Sequence, residues 1–382
     1  MTLIYDIYDV VVAGAGLAGI SAAKALQERG WRTICCDRRS FPRHKVCGEF
    51  LSPEAKSILD ELGLLSSVEL LQPERINHAK LYMGQGRPIH LPLPDIAYGI
   101  SRYRLDAALH MAAASVGVQI ATRTLITRIR RDDDRYLVEA RQGGERRCFA
   151  ARAVIGAWGS QRVQTDASIV PDSSEPVYIG LKSHYTNLAL KHAVELYTVP
   201  GGYVGVAPID EGKANVAALI RNDRVQGPES ILEKLEFAAR GNRLLRSRLQ
   251  GAMPVETSQA SVHPIVLGKQ PRLWDESEQF PLIGDAGLMI PPLCGDGMSI
   301  ALYTARECAY IADRYLRGLI DLQEWRYQYE QAVHRKVHAP LRWGRLAHRC
   351  VVHPWLPRVL GPAIQYWPGI SRRIVRATRL NI

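Results

Sequence analysis

The chain has 382 residues and a formal net charge of +11, from 49 Lys and Arg residues against 38 Asp and Glu residues. An apolar fraction of 47% with 23% charged residues excludes a disordered protein, and no apolar run reaches the ~20 residues that a membrane-spanning helix needs. A first segment without a signal-peptide pattern and an odd count of seven cysteines argue against a secreted, disulfide-linked protein, so we expect a cytoplasmic one.

A strand, a glycine turn, a helix and a second strand follow one another in the first forty residues. Residues 9–13 and 31–36 are short apolar runs typical of buried parallel strands, and residues 20–29 have the composition of a helix. In this frame a Gly-x-Gly-x-x-Gly turn predicts a dinucleotide site, because backbone and a helix N-terminus approach a pyrophosphate there and a later acid bonds a ribose. The predicted contacts are Gly14, Ala15, Gly16, Gly19 and Asp37.

A second motif lies about 265 residues further along the chain. Residues 280–286 form an apolar strand that ends in Gly-Asp, and residues 291–298 form a turn rich in Pro and Gly. A helix is predicted over residues 299–316. The chemically informative positions are Asp285, Pro292, Gly295, Gly297 and Met298.

Together the two motifs resemble the FAD-dependent oxidoreductases of the para-hydroxybenzoate hydroxylase and geranylgeranyl reductase-like superfamily. Within it the chain is most similar to the branch that includes flavin monooxygenases found beside type III polyketide synthases. The resemblance implies FAD, with Asp285 bonding the ribityl chain and the turn at 291–298 directing a helix N-terminus at the pyrimidine side of the flavin. It also implies an α/β fold, in which a Rossmann-like FAD-binding domain is interleaved with an antiparallel β-sheet substrate domain and followed by a helical C-terminal segment.

Three further stretches carry the resemblance. Residues 37–49 resemble the branch's Pro-Arg-x-Lys-x-Cys-Gly loop, which lies over the flavin ring, and this implies contacts from Arg38, Lys45 and Cys47. The Arg-x-x-Leu-Asp pattern at Arg102 resembles the start of a helix that contacts FAD. Leu125 stands where the family's backbone meets the adenine.

The motif order and strand pattern divide the chain into interleaved segments. We assign residues 1–75, 101–175 and 265–330 to the FAD-binding domain, and residues 76–100 and 176–264 to the substrate domain. Short strands are predicted at Ala79–Met83 and Arg87–Leu91, and a helix is predicted from Ser230 to Ala239. Residues 331–382 form the basic helical C-terminal segment.

Two departures from the family pattern bear on the chemistry. Trp158 stands where the hydroxylases have an Asp associated with FAD and the nicotinamide donor, and an indole cannot accept those hydrogen bonds. Direct use of NADPH or NADH is therefore uncertain, and a separate flavin reductase, ferredoxin or quinone is the alternative donor. The Gly-Trp-x-Trp-x-Ile-Pro strand of flavin halogenases corresponds to residues 202–208, which contain no tryptophan, so halogenation is disfavoured.

Catalytic candidates are less sharply defined than the cofactor contacts. Cys47 is either a proton donor beside the flavin or a buried structural cysteine. Glu49 is either a substrate contact or general base, or else a helix-start carboxylate before Ser52, and the second reading is favoured. Tyr203 is either a hydrogen-bond donor to substrate or a pocket-lining aromatic residue. No metal-binding spacing is present beyond a His334/His338 pair on a basic helix, so no metal is predicted.

Two enzyme classes fit these residues, and one class that is not enzymatic stays open. The branch resembled slightly favours a monooxygenase that hydroxylates a hydrophobic aromatic or polyketide-like molecule through a flavin C4a-hydroperoxide. The alternative is a flavin-dependent reductase of a C=C bond in a prenyl or polyketide substrate. A non-catalytic flavin-binding sensor or assembly protein is the third interpretation.

The basic charge is concentrated at the C-terminal end. Residues 331–382 hold ten basic residues and no acid, so residues 1–330 hold 39 basic and 38 acidic residues. Trp343, Trp355 and Trp367 recur in this segment, and a helical stretch is predicted to break at Pro340. The alternatives are a peripheral membrane contact or a collar for an apolar substrate, and a solvated structural cap, which is slightly favoured. Nucleic-acid binding is disfavoured by the FAD motifs.

Overall fold

The computed structural model describes residues 5–84, 86–160, 176–227, 229–267, 270–353, 355–357 and 379–380. Within these residues the strands are β1 Asp6–Ala13, β2 Thr33–Cys36, β3 Phe50–Leu51, β4 Glu74–Tyr82, β5 Ile89–Gly99, β6 Gln119–Ala121, β7 Thr124–Asp132, β8 Arg135–Gln142, β9 Glu145–Gly156, β10 Val177–Thr186, β11 Ala193–Val199, β12 Gly202–Ile209, β13 Lys213–Arg221, β14 Met253–Val266, β15 Trp274–Asp275 and β16 Phe280–Pro281. The helices are α1 Leu17–Gln27, α2 Pro53–Glu61, α3 Leu65–Glu69, α4 Arg102–Ser115, α5 Ile231–Arg240, α6 Arg243–Arg248, α7 Gly297–Leu316 and α8 Leu322–Val352.

The first sheet has the strand order β6-β2-β1-β9-β8-β7. Strands β6, β2, β1 and β9 pair in parallel, whereas β7, β8 and β9 form an antiparallel edge. The apolar run of β1 forms a central strand because both its faces are covered: Val10 and Val12 pack with α1 and α7, and Val11 packs on the opposite side. This sheet brings the carboxyl ends of β1 and β2 to one edge, where the glycine turn lies.

The second sheet has the order β14-β10-β13-β12-β11-β4-β5-β3. Its pairs are antiparallel except for β11 with β4, which pair in parallel. Helices α5 and α6 cover one face through a core that includes Leu181, Val204 and Leu235. The other face turns towards the first sheet. The sequence prediction made β4 and β5 shorter than they are, since β5 continues through Pro92 and Pro94 at the side of the sheet that ends in the short strand β3.

Helix α8 runs through Pro340, so the predicted break at this residue is wrong. Pro340 and its neighbours Val337 and Leu341 are buried, and this packing offsets the hydrogen bond that proline removes. Earlier in the helix, Trp325 and Tyr329 are fully buried, and the Tyr329 hydroxyl donates to the Leu282 carbonyl oxygen at 2.9 Å. Trp367 and the basic residues Arg358, Arg372, Arg373 and Arg376 lie outside the described residues. In the part of the chain that the structure describes, no helix has both the length and the apolar character needed to cross a membrane.

Candidate active site

A continuous cavity of about 970 Å³ lies between the two sheets. It reaches from the glycine turn, past the loop that contains Cys47, to the inner face of the second sheet and α8. The cofactor contacts expected from the sequence that line this cavity are Gly14, Gly16, Asp37, Arg38, Lys45, Cys47, Arg102, Leu125, Asp285, Pro292, Gly295, Gly297 and Met298. Ala15 and Gly19 are not among the residues that line it. One cavity therefore joins motifs that are far apart in the sequence.

Two positions of the glycine turn, Gly14 and Gly19, leave no room for a side chain. Gly14 has φ +117°, and a Cβ there would lie 2.3 Å from the Ala157 carbonyl oxygen. A Cβ on Gly19 would lie 1.8 Å from the Gly14 carbonyl oxygen, so Gly19 permits the close packing of α1 on β1. Gly16 is the N-cap of α1 and supplies no side chain, which leaves the first N–H groups of the helix open to an anion in the cavity.

Asp37 is fixed at the end of β2 on the cavity wall. Its two carboxylate oxygens accept the N–H of Ala15 at 3.0 Å and the N–H of Arg39 at 2.9 Å. The Arg43 guanidinium lies 3.7 Å away. These contacts hold the carboxylate beside the glycine turn, where a ribose of a dinucleotide would lie.

A second helix N-terminus faces the cavity at α7. Gly295 has φ +74° and, together with Gly297, brings the backbone to the cavity wall, while the exposed side chain of Asp285 lies on the same wall. Asp296, the N-cap residue, is buried, and neither of its carboxylate oxygens makes a hydrogen bond of normal geometry with a described residue. Burial raises the pKa of Asp296 to about 7. The two helix N-termini, the glycine turn and the carboxylates of Asp37 and Asp285 are groups that could hold FAD.

Cys47 lines the same cavity. Its sulfur accepts the N–H of Glu49 at 3.4 Å, and its carbonyl oxygen accepts from the Asn215 side chain at 2.9 Å. Arg102 makes two bonds to Asp106, at 2.7 and 2.9 Å, and lines the cavity nearby. Burial alone would lower the pKa of Arg102, but Asp106 and the Cys47 sulfur raise it above its usual value.

Glu49 lies behind the cavity wall and is fully buried. Its carboxylate is a helix-start group, but for α4 and not for the helix after Ser52: one oxygen accepts the N–H of Arg102 at 2.9 Å. The same carboxylate meets Lys182 and His184, which sequence reasoning missed. Their alternate spacing on one strand shows that they share a face of the sheet, but no local signal pairs them with Glu49.

The inner face of the second sheet lines the apolar end of the cavity. Tyr203, Gly205 and Ala207 alternate along β12, and all three line the cavity. The hydroxyl of Tyr203 is buried and makes no hydrogen bond of normal geometry within the described ranges, and burial raises its pKa well above the usual value. From α8, Leu346 and Val351 complete this apolar chamber.

Trp158 follows β9 and also lines the cavity. Its ring packs over Gly156, where a Cβ would lie 2.7 Å from the indole, and meets Phe280 edge-on at 6.1 Å. The side chain at position 158 is therefore part of the apolar wall of the cavity and offers no hydrogen-bond acceptor. Among the described residues, no group of three or more His, Cys, Asp or Glu side chains is arranged to bind a metal.

Comparison with known proteins gives matches over most of the chain. A family model described as an FAD binding domain matches residues 7–318. The digeranylgeranylglycerophospholipid reductase of Methanocaldococcus jannaschii is 27% identical over 329 residues, which are 84% of this chain and 79% of that protein. The kynurenine 3-monooxygenase of Salinispora arenicola is 26% identical over 332 residues, which are 76% of this chain and 69% of that protein. A flavoprotein/dehydrogenase from Cytophaga hutchinsonii shares the fold, with a TM-score of 0.80 at 19% identity, and the match covers 98% of this chain and 92% of that one.

Proposed function

The chain belongs to the FAD binding domain family and is an FAD-dependent oxidoreductase, and we propose that it reduces a C=C bond in a hydrophobic, prenyl-type substrate. The observation that carries the proposal is the single cavity, which is lined by the expected cofactor contacts, Cys47 among them, and by the apolar inner face of the second sheet. The digeranylgeranylglycerophospholipid reductase of Methanocaldococcus jannaschii, which is 27% identical to this chain, supports reduction over hydroxylation. This preference for a reductase reverses the slight preference for a monooxygenase that the sequence alone suggests.

When bound and reduced by an external electron donor, FAD would supply the hydride for a substrate carbon. In this proposal the turn at Gly14 and the start of α1 bind the pyrophosphate, and Asp37 binds the ribose. Asp285 binds the ribityl chain, and the N-terminus of α7 stabilises negative charge at the pyrimidine side of the ring. The close approach at Gly14 and the open helix ends support these assignments.

The protein must supply the proton that completes the reduction. One alkene carbon receives hydride and the other receives the proton of the Cys47 thiol, so the C=C bond becomes a C–C bond and Cys47 becomes a thiolate. The guanidinium of Arg102 lies close enough to stabilise that thiolate until solvent returns a proton. The apolar chamber around Gly205 and Ala207 accommodates the chain, and the Tyr203 hydroxyl has an unused donor for a polar group of the substrate.

Replacement of Cys47 tests this assignment. In Cys47→Ser the flavin should bind and be reduced as in the wild type, while substrate reduction should fall at least about 100-fold, because an alcohol is a far weaker acid than a thiol. Cys350→Ser is the matched control, since Cys350 is also a half-buried cysteine on the cavity wall. Equal loss in both variants, or full activity in Cys47→Ser, would remove Cys47 from the mechanism.

Hydroxylation is the second candidate, and the kynurenine 3-monooxygenase relative supports it. Both reactions need a reduced flavin and a dry cavity, and they differ in whether molecular oxygen enters the product. The apolar wall at Trp158 supports an external electron donor in either case, since it offers no acceptor for a nicotinamide. Slow reduction of the bound flavin by NADPH and NADH in stopped-flow measurements is the expected result.

We also propose that the C-terminal half of α8 meets a lipid surface. Trp343 and Leu346 line the mouth of the cavity and are 46% and 49% exposed, and Trp355 is 57% exposed. The residues from 331 to 353 carry five basic side chains and no acid. Exposed tryptophan beside Arg and Lys is typical of an interfacial element, and here it surrounds the route by which an apolar substrate would enter.

A further inference from the structure

Gly205 lies in the middle of a central strand, a place where glycine weakens a sheet. It belongs to β12, which lies between β13 and β11, and it pairs with Ala217 on one side and Leu196 on the other. The neighbouring Val204 packs in the core that α5 covers, so Gly205 is on the opposite face of the sheet, which lines the cavity. Gly205 is half-buried, whereas the other residues of β12 are buried.

The backbone does not require a glycine at position 205. The φ of Gly205 lies outside the left-handed region, and its pairing with both neighbouring strands continues without a bulge. A Cβ at this position would lie 3.4 Å from Leu196 Cδ2 and 3.8 Å from the Ala217 carbonyl oxygen, which are ordinary contact distances. An alanine would therefore fit here without displacing a described neighbour.

Other glycines of the second sheet are required by packing. A Cβ on Gly202 would lie 2.0 Å from the Leu219 carbonyl oxygen, and a Cβ on Gly180 would lie 3.0 Å from each of three side chains. A glycine inside a strand marks a bulge or bend, a close approach of another backbone, or a bound ligand. At Gly205 the described residues show neither of the first two, which leaves the ligand.

The hydroxyl of Tyr203 is a second, independent indication of a ligand at this place. Tyr203 lies two residues before Gly205 on the same face of β12, lines the cavity and is 4% exposed. Its hydroxyl makes no hydrogen bond of normal geometry with a described residue. Because a buried hydroxyl without a partner is unfavourable, a polar group of a bound molecule would stabilise it.

The surface around Gly205 changes from small to large side chains across the strands. Leu196 on β11 and Leu81 on β4 are in register with Gly205, and both line the cavity, as does Ala217 on the other side. The missing side chain of Gly205 therefore leaves a recess about one methyl group deep beside a row of leucines. A linear chain across these strands would leave the recess unfilled and lose dispersion contacts, whereas a methyl branch would fill it.

We propose that Gly205 is a specificity-determining residue, whose recess receives a methyl branch of the substrate and so selects methyl-branched chains over linear ones. The inference rests on the proposed function, since it names the part of the substrate that the same cavity selects. A prenyl chain carries a methyl group on one carbon of each C=C bond. Contact at Gly205 therefore also places an alkene at this point of the sheet.

Gly205→Ala tests the proposal, because it fills the recess with one methyl group. The probes are farnesol, which is methyl-branched, and dodecanol, a linear alcohol with the same main-chain length. Their binding to the FAD-loaded protein is measured by isothermal titration calorimetry. Farnesol should bind at least about tenfold more weakly to the variant than to the wild type, whereas the affinity for dodecanol should change by less than about twofold.

Gly86→Ala is the matched control. Gly86 is exposed between β4 and β5, and nothing lies within 4 Å of an added Cβ. This variant should bind both alcohols as the wild type does.

A thermal melt without either alcohol separates selection of a ligand from a structural need for glycine. Because alanine weakens a strand less than glycine does, Gly205→Ala should melt at the same temperature as the wild type or at a higher one. A lower melting temperature would show that the fold itself needs glycine at this position and would overturn the proposal.

Three binding results would also overturn it: equal weakening of farnesol and dodecanol in Gly205→Ala, no weakening of either, or no binding of farnesol to the wild type. A selective loss of farnesol in a protein that reduces no alkene would instead contradict the proposed reaction and leave the role of Gly205 intact. Alkene reduction at the wild-type rate by Gly205→Ala, with unchanged farnesol binding, would leave the reaction intact and remove Gly205 from substrate selection.

Discussion

Gly14 combines a left-handed backbone conformation with a close backbone contact, and both disfavour any side chain there. A methyl group in Gly14→Ala would have to occupy space 2.3 Å from a backbone oxygen and adopt φ +117°. Because neither the strand nor the following helix can move without loss of core packing, we expect the variant to purify without FAD and to melt at a lower temperature. The ratio of flavin to protein absorbance and a thermal melt measure the two effects.

Gly143→Ala provides the comparison for that prediction. Gly143 also has positive φ, at +59°, but it lies in the β8–β9 turn, where nothing is within 4 Å of an added Cβ. This variant should keep its FAD and lose only about 1 kcal/mol of unfolding free energy. If Gly14→Ala kept full FAD occupancy, the close approach at the glycine turn would not be needed for binding.

Single residues also show how far sequence reasoning reaches. The cofactor motifs at Gly14 and Asp285 could be recognised from the sequence, because each motif is a short continuous stretch with a specific pattern of residues. The partners of Glu49 were not predictable, since Lys182 and His184 lie 133 and 135 residues further along the chain. Only the register of β10 and the left-handed turn at Glu49 bring them together. The FAD prediction is confirmed by the family match, whereas the catalytic roles stay proposals.

Among the helices, α7 combines a start that lines the cavity with a buried acid, Asp296. The folded-state pKa of Asp296 lies near 7, above the 3.8 of a free carboxyl, so the folded protein keeps a proton that the unfolded chain releases. The unfolding free energy therefore falls as pH rises through this window, and the full penalty is present above it. Asp296→Asn removes the penalty. It should stabilise the protein by on the order of 2 kcal/mol above neutral pH.

Thermal melts at several pH values measure this effect. The advantage of Asp296→Asn should shrink as pH falls from about 7 towards 3.8, because both states then hold the proton. Asp134→Asn, at a site that is 85% exposed, should show no such dependence. A constant difference between Asp296→Asn and wild type at every pH would contradict a buried, proton-binding carboxyl.

Helix α8 has a different role in each half. Its first half is a structural cap, since Trp325 and Tyr329 are fully buried in the core that α7 shares. Its second half lines the cavity mouth with Leu346 and Val351. The sequence showed that residues 331–382 combine ten basic residues and three tryptophans with no acid. It did not show that the helix continues through Pro340, because burial of the flanking side chains and not local propensity decides that point.

The lipid-surface proposal predicts a specific loss at this helix. Leu346→Asp places a carboxylate at the exposed mouth of the cavity, so binding to vesicles with anionic phospholipid should weaken at least about tenfold in a sedimentation assay. Leu319→Asp is the matched control, because Leu319 is 66% exposed between α7 and α8. Equal vesicle binding by both variants would mean that the mouth of the cavity does not meet the bilayer.

At the scale of the whole molecule, the fold places a polar environment and an apolar environment in one cavity. The first sheet brings backbone N–H groups and carboxylates to one end, and the second sheet brings a face of small and apolar side chains to the other. The two distant motifs were enough to predict this class of fold, because each specifies a strand-to-helix turn. The shape of the apolar chamber depends on strands β4, β5 and β10–β14. The alternation of side chains in these strands predicts which residues share a face of the sheet, but it does not predict which residues pack opposite that face.

Anaerobic single turnover tests the central claim most directly. The FAD-loaded protein is reduced with dithionite, mixed with digeranylgeranylglycerophospholipid, and the lipid is analysed by mass spectrometry. A C=C reductase yields a lipid heavier by two hydrogen atoms, with no need for oxygen and with reoxidation of the flavin. The account would be contradicted if the lipid were unchanged and the flavin stayed reduced until labelled oxygen was admitted. Appearance of the label in a hydroxylated product would then identify a monooxygenase.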